Sequence, residues 1–128
     1  MVGRMPTYEK IPAGRIRLKR IYQPATPADG ARILVDRLWP RGVKKSDAAI
    51  DLWIKDVAPS TALRKWFAHD PGRWPGFRHR YASELHGHRA ELAGLRALAR
   101  RGTVTLVFAA RDELRNDAVV LRGVLLGR

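Results

Sequence analysis

Cysteine is absent from this 128-residue chain. That absence removes disulfides, thiolate nucleophiles, iron–sulfur clusters and cysteine-ligated zinc from consideration. Long apolar runs are missing as well. The longest, residues 106–110, is far shorter than the ~18 residues a membrane span requires, and the first residues, MVGRMP, hold no apolar signal-peptide core. A soluble, cytoplasmic protein is the expectation. No internal repeat, heptad array or low-complexity tract is visible. Histidine is sparse too: of His79, His86 and His88, the last two are two positions apart and point to different sides of a helix, so no metal site is expected. No cofactor is expected either.

Acidic residues are scarce, 12 against 25 Lys and Arg, leaving a net charge of +13. The excess is uneven. Residues 1–22 carry +5 and 71–101 carry +5, whereas 23–70 carry +2 and 102–128 carry +1. Basic surfaces attract phosphates over a Debye length of about 10 Å, so non-specific nucleic-acid binding is one expectation. Plain solubility is the other.

With 45% hydrophobic residues, the chain fits one domain with an ordinary core. Residues 1–14 hold Gly3, Pro6, Pro12 and Gly14 without periodicity and are expected to form a flexible arm, leaving 15–128 as the single domain. Residues 15–22 partly alternate apolar and basic side chains, as a strand near a sheet edge would. Pro24, Pro27 and Asp29-Gly30 mark a loop, and the consecutive Ile33, Leu34 and Val35 predict a strand over 32–38 buried on both faces, as in parallel sheets. Residues 43–47 read as a polar turn. Residues 48–57 fit either a helix face or a short strand. Ser60 or Thr61 caps a helix bearing Leu63, Trp66 and Phe67, and Asp70-Pro71 opens a helical region to 101 that Gly87 can break in two. A strand over 103–110 and a final helix packing Val120, Leu121, Val124 and Leu125 complete the order. The fold class is α/β, a small single domain with a mostly parallel sheet flanked by helices.

Four segments, LVDRLWPRG at 34–42, WIKDVAPS at 53–60, RKWFAHDP at 64–71 and LVFAARD at 106–112 followed by Asn116 and Val119-Val120-Leu121, resemble the small YeaO-like proteins, a bacterial domain-of-unknown-function family. The resemblance runs from about Ile16 to the end. It implies a small α/β domain and carries over no activity residue by residue.

The chemistry therefore rests on the charged strand ends. Ligands of open parallel sheets bind beyond the carboxyl ends of the strands, where strand order reverses. If the two apolar strands are neighbours, Asp36, Arg37, Trp39 and Arg41 face Arg111, Asp112 and Asn116 across that crevice. Two guanidinium groups fork onto a phosphate or carboxylate, and a helix capped at Ser60 could offer N–H groups to the same anion. A small anionic ligand is the expected partner, and beside it Asp36 or Asp112 is a candidate general base or metal ligand, with neither role forced and without settling whether the protein is an enzyme. The plainer reading pairs Asp36 with Arg111, or Arg37 with Asp112, as structural ion pairs. Trp39 is core or lid packing, or stacks on a ligand. His69 reads as packed or solvated. The alternative function is a nucleic-acid-binding or regulatory module using the arm and Arg73, Arg78, Arg80, Arg89, Arg96 and Arg100.

Overall fold

A computed structural model describes residues 10–128. Four strands, β1 (Ile16–Arg20), β2 (Ala31–Leu34), β3 (Leu52–Trp53) and β4 (Val104–Phe108), form one sheet in the order β1-β4-β2-β3, with every pairing parallel. The helices are α1 (Lys45–Ala48), α2 (Thr61–Phe67), α3 (Trp74–Leu85), α4 (Arg89–Arg101) and α5 (Asp117–Leu125). This is the expected small α/β domain.

The apolar strands β2 and β4 are neighbours, in register from Ala31 opposite Val104 to Leu34 opposite Val107. All of β4 is buried, because its alternate side chains enter two separate cores. Val104, Leu106 and Phe108 join Ile16, Ile33 and Val35 beneath α2 to α5, with Tyr81, Leu95 and Leu121 among the fully buried contributors. On the opposite face Val107, Leu34, Ile21 and Ala48 are covered by Trp39, Val43, Ile50 and Trp53. The long helices thus lie on one face. The other is closed by the loop and short helix between β2 and β3.

That second face also holds a buried polar knot. Arg32 sits on β2 at 4% exposure and Asp29 at 1%; Arg32 Nη1 donates to Asp29 Oδ2 at 2.7 Å, and its remaining nitrogens reach the carbonyls of Ala48 and Ala49. Lys19 Nζ and the Thr26 N–H also donate to Asp29. Every charge is therefore bonded, the condition under which buried ions are tolerated. Burial alone would raise the Asp29 pKa. The hydrogen bonds from Thr26, Lys19 and Arg32 outweigh it and hold the carboxyl well below the usual range. Gly30 links this knot to β2 with φ +62°, and a Cβ there would lie 2.1 Å from the Thr103 carbonyl oxygen, so the approach to β4 requires glycine.

Several boundaries differ from expectation. The β2 ladder ends at Leu34 rather than 38, although the Val35 N–H still donates to Val107 O. Residues 36–38 turn away because Asp36 bonds the end of β4 instead of extending the strand. Within 48–57 the strand alternative prevails as β3, followed by a 3-10 turn at Lys55–Val57. α1 begins within the expected polar turn at 43–47 and runs one residue past it. Gly87 lies between α3 and α4, as its cost in a helix interior predicts. Of the expected arm, residues 1–9 lie outside the described residues. Ile11 packs into the main core and Ala13–Arg15 form a 3-10 turn.

Candidate functional site

The sheet order places a switch point between β2 and β4: the chain leaving β2 runs outward to β3, whereas the chain leaving β4 returns as α5 across β4 and β1. Beyond these two carboxyl ends opens a cleft of ≈ 720 Å³. Its lining brings together Asp36, Arg37, Trp39, Arg41, Arg111, Asp112 and Asn116. Ser60 is the exception among the expected residues. It caps α2 by accepting from the Leu63 N–H, while its own N–H and hydroxyl donate to the Glu84 carboxylate at 2.8 and 2.6 Å. A carboxylate of this chain already occupies the place proposed for a ligand.

Deeper in the cleft lies a feature that the sequence does not reveal. Asp36, at the end of β2, accepts from the Ala109 N–H at 2.9 Å and shares a hydrogen bond with the carboxyl of Asp117, in the first turn of α5. Two carboxyl groups bond one another only through a proton. Burial raises both pKa values, and the neighbouring Asp36 charge raises that of Asp117 further, well above the carboxylate range; the Ala109 N–H and the charge of His69 pull Asp36 back. One proton is thus retained by the pair where isolated carboxylates have lost theirs. Asp117 escapes notice in the sequence because an acidic residue in a first helical turn is ordinary dipole chemistry.

The arginines are not neutralised by these carboxylates. Among the described residues, Arg37, Arg41, Arg64 and Arg111 make no ion pair, and Asp112 pairs instead with Arg115 at 3.2 Å. The expected pairs of Asp36 with Arg111 and of Arg37 with Asp112 do not form. Arg37 reaches the carbonyls of Ala58 and Pro59 through one terminal nitrogen at 3.4 and 3.3 Å, while its buried Nε has no partner among the described residues. Arg41, Arg64 and Arg111 are exposed at the cleft.

Asp112 and Asn116 shape the backbone. Asp112 accepts from the N–H groups of Leu114 and Arg115, which hold its pKa down, and Asn116 caps α5 through Val119 while donating to Asp112 O. The Trp39 indole donates to Val43 O and meets Trp53 edge-on at 5.4 Å. Phe67 and Phe77, stacked at 4.3 Å, form part of the opposite wall. Beside them Ala68 and His69 hold φ of 46° and 56°, left-handed conformations that cost about 1 kcal/mol or more each in non-glycine residues. This strained corner brings His69 to the cleft, a role the sequence leaves unread.

An all-parallel sheet with an arginine-rich cleft at its switch point defines the class: a small α/β domain with one prominent strand-end site. Residues 15–128 match the family described as "Inactive DUF488-N3 subclade". The chain is 48% identical over 114 residues to an uncharacterized protein of Mycobacterium tuberculosis H37Rv, covering 89% of this chain and 96% of that one. It is 46% identical over 106 residues to the uncharacterized protein YeaO of Escherichia coli K12, covering 83% and 92%. No solved structure matches. The chain belongs to this YeaO-like, bacterial domain-of-unknown-function family.

Proposed function

We propose that the cleft binds a small ligand bearing a phosphate or carboxylate. The observation that carries this reading is that four arginines line one cleft without a carboxylate partner among the described residues. Guanidinium groups grouped in this way are suited to forked recognition of oxyanions. The buried Arg37 Nε adds a donor whose desolvation is costly until an acceptor meets it. The family description's word "inactive" favours binding over turnover, and the carboxyl pair then serves recognition rather than proton transfer.

The nucleic-acid alternative has less support, because Arg73 and Arg80 are stacked on Trp66 and Arg96 donates to the carbonyls of Val124 and Leu125. A ligand that binds only the folded state raises its melting temperature by mass action. Phosphate or sulfate is expected to do so for the native protein, and the increment is expected to shrink in Arg111→Ala and largely vanish in Arg37→Ala plus Arg111→Ala. An undiminished increment in the double variant places the anion elsewhere.

A further inference from the structure

The cleft is polarised, and its polarity narrows what fits. The exposed guanidinium groups of Arg41, Arg64 and Arg111 can take negative charge, whereas the half-buried Asp36 and Asp117 offer oxygen lone pairs and repel it. A simple anion satisfies only the first set. The second calls for N–H donors on a group without negative charge. The rest of the lining is largely apolar and includes Trp39, Phe67, Phe77, Pro40 and Pro59. The volume, ≈ 720 Å³, falls within the ~300–1,000 Å³ typical of sites for whole organic ligands and far exceeds what an inorganic oxyanion fills.

Resting on the anion-binding reading above, we propose that the occupant is a mononucleotide, its phosphate held by Arg111 and the neighbouring outer arginines and the N–H edge of its heterocycle received by Asp36 and Asp117. A planar, nitrogen-bearing ring joined to a phosphate meets all three surfaces at once. The hydrogen bond from the Ala109 N–H to Asp36 fixes that carboxyl to the end of β4, and Asp117 is carried by α5 next to its Asn116 cap. One receiving group is thus tied by a backbone hydrogen bond and the other is held by a helix, which limits the ordering cost of binding.

The test is calorimetric titration of the full chain with AMP, GMP, CMP, UMP, ribose 5-phosphate and inorganic phosphate. At least one nucleoside monophosphate is expected to bind about tenfold or more tightly than ribose 5-phosphate, a difference of about 1.4 kcal/mol. Asp117→Asn is expected to erase most of that preference while leaving ribose 5-phosphate binding within about twofold, and Asp36→Asn provides the same comparison should the first variant not fold. Arg111→Ala is expected to weaken all the phosphates. Nucleotides binding no better than ribose 5-phosphate, or a preference indifferent to both Asp substitutions, overturns the nucleotide assignment while phosphate binding lost in Arg111→Ala keeps the anion site. Binding of none of the six overturns both.

Discussion

Asp36 and Asp117 share a hydrogen bond deep in the cleft although one lies just past β2 and the other begins the last helix. Their shared proton links stability to pH. A carboxyl whose folded pKa is raised contributes stability that is fully present below its unfolded value, near 3.8, and is lost as pH rises through the folded value. His69 acts on Asp36, and the buried Tyr81 lies within electrostatic reach of both carboxyls and of Glu84 and Arg37. Replacing Asp117 by Asn removes the proton-linked cost. The variant is expected to gain stability relative to the native protein as pH rises from about 4 to about 8. Urea denaturation of the two proteins across that range checks it, and parallel curves would contradict a shared proton.

The Asp29–Arg32 pair is expected to behave in the opposite sense. Because hydrogen bonds hold Asp29 well below its ordinary 3.8 despite burial, its contribution is present above that value and lost as pH falls through the lower folded value. Asp29→Ala leaves Arg32 buried and uncompensated and is expected to cost about 3–5 kcal/mol. Equilibrium urea denaturation near neutral pH measures this, and a loss below about 1 kcal/mol would show that water replaces the carboxylate.

Ser60→Ala removes the α2 cap and one hydrogen bond to Glu84. A loss of about 1–2 kcal/mol is expected, with the response of melting temperature to phosphate unchanged. A reduced response would return Ser60 to the binding site.

Gly30→Ala combines a left-handed φ with a Cβ placed 2.1 Å from Thr103 O. The backbone strain alone is worth about 1–3 kcal/mol, and the collision with β4 adds to it. Thermal denaturation is expected to show a loss of more than about 3 kcal/mol, and a near-native melting temperature would mean that the turn rearranges freely.

The parallel core was legible because Ile33-Leu34-Val35 and Leu106-Val107-Phe108 leave no polar side for water, which only a sheet covered on both faces can satisfy. The strand-end cleft followed from that and from the charges placed directly after each run. Individual roles were not legible, because they depend on which partner arrives first. Asp36 met an amide from β4 and a carboxyl from α5 rather than an arginine, and Asp112 met Arg115 in its own loop. Ser60 met Glu84 from the facing helix α3, a contact with no signature in spacing. Arg32 begins the expected strand over 32–38 with no role of its own, yet it closes the second face by bonding Asp29, Ala48 and Ala49 at once.

Amide chemical-shift mapping tests most directly whether the anion site lies at the ends of β2 and β4. On titrating the ¹⁵N-labelled protein with phosphate at constant ionic strength, saturable shifts are predicted for the amides of residues 36–39, 41 and 109–112, and for the Arg37 Nε–H. These shifts are predicted to weaken in Arg111→Ala. Shifts confined to the arginine-rich surface of α3 and α4, with residues 36–39, 41 and 109–112 unmoved, would place the anion away from the strand ends.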